Sequence, residues 1–532
     1  MKTEIGKLIE AAVLALKNEL GADFVLPEIE VTHPKDERFG DYTSNVAMLL
    51  GKLLKKNPLD IAKLLQEKMA ADYLEKVEVV APGYLNFYFT QEHLQKEIGI
   101  IVQQGDDYGN NQMGVGQKIL LEFVSSNPTG PIHLGNARGG PLGDSIANVL
   151  QKAGYQAERE FYINDFGNQV AILGHSILKD AEAQYPGGYI DELGKKIPAG
   201  MTDPKAVGIW AAGEIIESMI KPTCEKLGIK FDRWFSEKSL HDSGKVDEGI
   251  ALLTERGLTY EREGALWFKS TEFGDDKDRV LIKSDGNKTY IAPDFAYHID
   301  KLGRGYDKLI NILGADHHKE AMVMQSFVDQ VLGEPGKLEV ILTQIVRVVK
   351  DGQEVKMSKR RGTYYAMDDL IEEIGKDAVR FISASSAPTS HINFDINLAL
   401  EQSDKNPVYY VQYAHARVCN IEGKAKESGI TVDDIKAVDL KVLEHEKELA
   451  LMRELHRFPE LIEEIAGDYG VHKLPFYAIK LADRLHSFYD VCRVVDSGNL
   501  EMTRARLILV NAVKIVLAET LRLIGVSAPE RM

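Results

Sequence analysis

The stretch that decides the fold is KILLEFVSSNPTGPIHLGNARGG, residues 118–140. From Lys118 to Ser126 the residues are mostly apolar, which predicts a strand buried on both faces, as in a parallel sheet. Pro128 and Gly130 turn the chain. The pattern from His133 predicts a helix to about Ala153, where Gly154 provides a C-terminal stop. His133 and Asn136 are three apart and share a face of its first turn. Unpaired N–H groups and the helix dipole favour a phosphate there, and Gly135 lets a nucleotide approach closely. Taken alone, a motif as short as HLGN is better explained by a capping or packed histidine.

Working outward, AEREFYIND (157–165), RVLIKS (279–284), DKLINILG (307–314) and VRVVKDGQEVKM (346–357) add strand candidates, with helical patterns between them. That alternation predicts a Rossmann-like parallel sheet over 111–395. Residues 175–260 read as a helical insertion. Upstream, a helical N-terminus, two helices divided by Asn57-Pro58, and strands on either side of Pro82-Gly83 predict an α+β domain over 1–110. GDDYGNNQMGVG (105–116) forms the passage between the two. After about 395 strand signals almost vanish, so 396–532 is expected to be an α-helical bundle ended by Gly525.

Composition narrows the classes. A chain of 532 residues, 44% hydrophobic and 27% charged, is folded and multidomain rather than disordered or fibrous. Its formal charge of −17 argues against nonspecific nucleic-acid binding over the whole surface, while leaving local basic faces open. Three widely separated cysteines supply neither a disulfide framework nor a Cys-rich zinc site. With no signal peptide and no long apolar run, a cytoplasmic protein without membrane contact is expected.

A second charged constellation, KMSKRRGT (356–363), follows a hairpin whose Asp351-Gly352 pair suits a tight turn. Lys356, Lys359, Arg360 and Arg361 crowd positive charge beside Gly362, as a loop closing on pyrophosphate would need. Taken alone, these charges are better explained by a solvated surface loop. The HxGH-like turn and the KMSK loop together resemble the two signatures of class I aminoacyl-tRNA synthetases.

Their spacing disfavours the types with a large editing insertion, and the absent cysteine cluster disfavours the zinc-bearing cysteinyl type. FGDYTSNVAM, APGYLNFYF, EFVSSNPTGPIHLGNARGG, REFYINDFGNQV, YIAPDFAYHIDKL, LGADHH, KMSKRRGT, NPVYYVQYAHARV and the terminal SAPERM resemble the arginyl-tRNA synthetase family along nearly the whole chain.

The resemblance implies activation of L-arginine by ATP with Mg²⁺, then transfer to tRNA(Arg). It implies that adenylate formation needs bound tRNA, with no tightly held protein metal; a monomer is expected. Arginine is expected at Glu122, Asn127, His133, Tyr290, Asp294, Asp316 and His317. Either Asp316 or His317 makes contact, or one of them caps the next helix. ATP is expected at His133, Gly135, Asn136, Lys356, Met357, Ser358 and Lys359, with His133, Asn136, Lys356 and Lys359 as the catalytic set. Gln169 is either near substrate or a helix-surface amide. Tyr409, Tyr413 and Arg417 are expected to meet tRNA, although among Tyr409, Tyr410, Tyr413, His415 and Arg417, spaced at helical intervals, several suit the helix core better than base stacking.

The chemistry fits independently. A guanidinium carries permanent charge and five donors, so its pocket needs an array of carboxylates. Glu122 lies among Leu120, Leu121, Phe123 and Val124, where an unpaired carboxylate would be costly. Asn136 stands where the family usually has histidine, which removes a possible imidazolium. A nucleotidyltransferase would share the phosphate-binding features but not require the helical third. A non-catalytic relative would tolerate loss of ATP-site residues that are retained here.

Overall fold

The computed structural model describes residues 1–21, 23–355, 366–432 and 435–532, the side chains of Asn136 and Ala137 excepted. Its centre is a parallel sheet of β1 (Lys118–Glu122), β2 (Gln156–Ile163), β3 (Arg233–Ser236), β4 (Lys308–Gly314) and β5 (Leu338–Thr343). The order is β5–β4–β1–β2–β3, and every neighbouring pair is parallel. This doubly wound arrangement is the expected Rossmann-like fold. Its strand order reverses between β1 and β4, which opens a crevice beyond their carboxyl ends.

The first strand is shorter than its sequence predicts. It stops at Glu122, and Val124 and Ser125 turn the chain with φ of 68° and 38°. Left-handed backbone at a β-branched residue costs on the order of 1–3 kcal/mol and persists only where its surroundings impose it. The helix Gly139–Lys152 then lies close against the sheet: a Cβ on Gly143 would sit 2.4 Å from the Phe123 ring. Gly154, with φ 90°, follows its end as expected.

Three sequence readings are corrected. Residues 175–260 are not wholly an insertion, because β3 lies inside that range and forms an edge of the central sheet. RVLIKS leaves that sheet; Arg279–Ile282 pairs antiparallel with Ala265–Phe268, which pairs with Thr259–Arg262. VRVV also leaves it. Val346–Lys350 pairs with Gln353–Glu354 across the Asp351-Gly352 turn and, in parallel, with Ile392–Asp395. Apolar alternation marks a strand but not its partner, which is chosen by contacts distant in sequence.

At the N-terminal end, the sheet Tyr42–Ser44, Tyr84–Phe89, Leu74–Val80 packs with the helices Lys2–Leu20, Val46–Leu54 and Pro58–Gln66. The Asn57 side chain caps the last of these by accepting from Leu59 N–H. Beyond Asp395 the described residues contain helices and no strand. Arg380, fully buried, joins this helical part to the sheet domain by donating to Ile524 O, Leu227 O and the Asp144 carboxylate at 2.6, 2.8 and 2.5 Å. The N-terminal part also docks on the helices: Tyr42 donates to Glu460 at 2.6 Å and Gln95 to Leu443 O at 3.1 Å. Among the described residues no helix is long and apolar enough to cross a membrane.

Candidate active site

Glu122 ends β1 at the crevice, and its sheet row is polar. In register it faces Asn311 of β4 on one side and Glu160 of β2 on the other. Side chains in one row project to the same face, so two carboxylates and an amide lie together under the helix Ile291–Gly303. That helix answers with cations. Lys301 pairs with Glu122 and donates to Asn311 Oδ1 at 3.0 Å. Just past its end, Arg304 grips Glu160 through two nitrogens at 2.5 and 2.8 Å. Glu122 is thus buried, 7% exposed, and paired, as a carboxylate in so apolar a strand must be. An internal lysine neutralises it, so its burial alone does not demand a substrate cation.

Asp294 occupies the first turn of the same helix, and Tyr290 precedes it. Burial, then Glu237 and then Glu122 push the Asp294 carboxyl up to about 8. Burial and Glu237 also raise the Tyr290 hydroxyl, although that side chain remains 52% exposed at the mouth. The Tyr162 hydroxyl is held up by burial and by Glu237, Asp294 and Glu122. Four separate elements therefore converge on one acidic pocket: β1, β2, the helix Glu237–Asp242 and the helix Ile291–Gly303. Such a cluster favours a cation that brings several donors.

Glu237, 5% exposed, is a member that sequence reasoning missed, since WFSEKS carries no local signal of where its glutamate points. Lys301 and His298 were legible in principle. They stand seven and four residues after Asp294, on the same helix face, within an otherwise apolar pattern.

The first signature stands beside this pocket. His133 precedes the short helix Leu134–Ala137, and Gly135 is exposed; among the described residues, its chain neighbours apart, a Cβ there would meet the His133 ring at 3.3 Å. The Asn136 side chain lies outside the description. Asn127 is exposed on the connecting turn and accepts from Asn164 Nδ2 at 3.2 Å. Asp316 and His317 follow β4, are both exposed, and approach each other at 3.8 Å. Gln169 is half-buried in the first turn of Asn168–Leu178.

Lys356, Met357, Ser358 and Lys359 fall in 356–365, outside the described residues, but both ends of that segment are placed. Val355 N–H donates to Val348 O at 2.9 Å, beside the expected hairpin turn with Asp351 and Gly352 at φ 53° and 72°. At the other end Ala366 forms an antiparallel bridge with His133, and Met367 N–H donates to Ile132 O at 2.9 Å. Arg138 secures the same junction: its guanidinium donates to Gln344 O, Ser390 O and Ala387 O at 2.9, 2.6 and 2.8 Å.

On the helix Pro407–Glu427, the Tyr409 and Tyr413 rings stack 6.1 Å apart. Arg417 lies 5.0 Å over Tyr413 and 5.1 Å over Tyr489, and touches His486 at 2.9 Å. Tyr409, Tyr413, Arg417 and His486, together with Asp404 and Tyr410, line a groove. His415 is turned the other way, buried and bonded to Pro529 O at 2.9 Å.

Residues 3–89 match the model for the arginyl tRNA synthetase N terminal domain. Residues 97–188 and 209–417 match that for the class I (R) tRNA synthetase catalytic domain, and 411–532 that for the DALR anticodon binding domain. An arginine–tRNA ligase of Geobacillus kaustophilus is 43% identical, spanning 100% of this chain and 98% of the relative. One of Bacillus subtilis is 42% identical over 100% and 99%. A solved putative arginyl-tRNA synthetase from Campylobacter jejuni superposes with a TM-score of 0.76 at 34% identity, covering 84% of this chain and all of that one. The Thermus thermophilus arginyl-tRNA synthetase, at 23% identity and a TM-score of 0.78 over all of both chains, shares the fold.

Proposed function

Because this chain belongs to the arginyl-tRNA synthetase family, and is accordingly an arginine–tRNA ligase, we propose that Glu122, Asp294 and Glu237 hold the arginine guanidinium while Tyr290 closes the mouth. The observation that carries this reading is the gathering of three carboxylates, Glu122, Asp294 and Glu237, from three separate elements of the fold. A guanidinium placed among them draws Asp294 into its ionised form and supplies the donors the cluster calls for. A lysine ammonium offers fewer donors without the planar fork, leaving acceptors unmatched, a mismatch that discriminates strongly.

The reaction has two steps. The carboxylate of arginine attacks the α-phosphorus of ATP, forming arginyl-adenylate and releasing pyrophosphate. The terminal adenosine hydroxyl of tRNA then takes the arginyl group and AMP leaves. In our reading Asn127 and His133 orient the amino acid's backbone end, with Asp316 or His317 across the crevice. His133, Gly135 and Asn136 receive the nucleotide at the helix start. Lys356 and Lys359, with Met357 and Ser358 shaping their loop, neutralise charge moving onto pyrophosphate. Mg²⁺ enters with the phosphates of ATP as part of the nucleotide substrate.

The segments 1–110 and 396–532 are assigned to tRNA(Arg), which Tyr409, Tyr413 and Arg417 meet through stacking and charge. The protein works as a cytoplasmic monomer in this reading. Arginine-dependent exchange of pyrophosphate into ATP, measured with and without tRNA, tests it. Exchange with arginine and tRNA, none with lysine, is expected. Exchange without tRNA, or equal exchange with lysine, would overturn the proposal.

A further inference from the structure

The pocket's two principal carboxylates are joined by a chain of buried polar groups whose donor directions are all determined. Lys301, with a fully buried side chain, donates to Glu122 Oε2 and to Asn311 Oδ1. Asn311 Nδ2 therefore faces His298 Nε2, at 3.0 Å, as a donor. Nε2 must accept, so Nδ1 carries the imidazole proton and donates it to Asp294 O at 2.8 Å. The ring is neutral by this pattern, and burial together with Lys301 holds its pKa down to about 3. Ser125 adds a second tether, donating to Glu122 Oε1 at 3.2 Å while accepting from Tyr162 N–H at 3.1 Å. The Lys301 ammonium also rests 4.0 Å over the Tyr297 ring, whose hydroxyl donates to Glu160 at 2.6 Å.

A purely structural account would need only an ion pair to satisfy Glu122. The chain goes further, running from the side chain of one pocket carboxylate to the main chain of the residue bearing the other. It crosses β1, β4 and the helix between them in the chain. We propose that Lys301, Asn311 and His298 are positioning residues that set the distance and orientation between Glu122 and Asp294, and so select a planar, multi-donor side chain over a point cation. This rests on the reading that those two carboxylates receive arginine.

Lys301 cannot give up its pairing without stranding a buried carboxylate, so the spacing is rigid. None of the three need touch substrate. Their effect should therefore appear in the Michaelis constant for arginine and in discrimination, not in the handling of ATP.

The test compares Lys301→Met with Lys301→Arg, and His298→Leu with His298→Gln, in the full-length enzyme with tRNA present. The glutamine amide can replace both hydrogen bonds of the imidazole, whereas leucine can replace neither. Lys301→Met and His298→Leu should raise the KM for arginine about tenfold or more with little change in the KM for ATP, the size expected for losing one charged or one oriented contact. Both should also narrow the preference for arginine over lysine, the point-cation competitor. Lys301→Arg and His298→Gln should restore most of the preference.

Equal rises in the constants for arginine and ATP would mean general loosening and would overturn the proposal, as would an unchanged preference in a folded Lys301→Met enzyme. Should that variant fail to fold, the His298 pair decides; equal preferences for Leu and Gln overturn it. Glu122→Gln and Asp294→Asn run alongside separate the two claims. If they leave arginine binding intact, the pocket reading itself has failed. If they weaken it while the Lys301 and His298 variants do not, only the positioning role has.

Discussion

Ala366 pairs with His133 across an antiparallel bridge, which sets this residue of the chain beside the first signature. Two described positions 233 apart in the sequence, His133 and Ala366, are thereby neighbours by main-chain hydrogen bonding. Lys359→Ala is expected to lower pyrophosphate exchange by about two orders of magnitude or more, the scale for removing one transition-state charge contact. The KM for arginine should change little. Rates of exchange at saturating arginine check this.

Arg138 holds the same junction through the carbonyls of Gln344, Ala387 and Ser390, with no carboxylate partner among the described residues. Arg138→Met leaves those acceptors unmatched, and a buried polar group stranded in this way costs about 1–3 kcal/mol. A lower melting temperature with a raised KM for ATP is expected. Thermal unfolding and steady-state kinetics measure the two effects separately.

The pocket should respond to pH through Asp294, whose carboxyl is pushed up to about 8 by burial, Glu237 and Glu122. Its ionised form is the one that attracts a guanidinium. Raising the pH towards 8 should therefore lower the KM for arginine, by at most about tenfold per unit, with a plateau above. The stability effect has the opposite sign. The folded pKa lies above the unfolded one, so this group's contribution is full below about 4 and is lost as pH rises through 8. Asp294→Asn should flatten both trends in kinetic and denaturation profiles.

A methyl group on Gly143 would meet Phe123 at 2.4 Å, between the first strand and the helix behind it. Neither element can shift without moving the crevice. Gly143→Ala should destabilise the protein by about 1–3 kcal/mol through overpacking. Chemical denaturation midpoints check the size.

The groove of Tyr409, Tyr413 and Arg417 is expected to bind RNA by stacking. Tyr413→Ala should weaken tRNA binding by about 1–3 kcal/mol, the usual range for losing one base–aromatic contact. Arg417→Ala should weaken it and reduce its dependence on salt. Direct binding titrations at several salt concentrations distinguish these outcomes from loss of arginine affinity.

Residues 118–140 sufficed to read a strand, a turn and a helix start, because hydrophobic pattern and turn chemistry act over a few neighbours. The Asp351-Gly352 turn and the helical run beyond Asp395 were legible for the same reason. The early end of β1 was not, since left-handed backbone at Val124 is imposed from outside its own stretch. Nor was β3, a four-residue strand amid helices that gains its identity only by pairing with β2.

By itself, then, the sequence determined most of the local elements and the family motifs, properties carried by near neighbours or residue type. Tertiary structure decided that Lys301 neutralises Glu122, that Glu237 joins Asp294, and that Ala366 meets His133. Sheet register and helix packing set those meetings, and both depend on contacts between residues far apart along the chain.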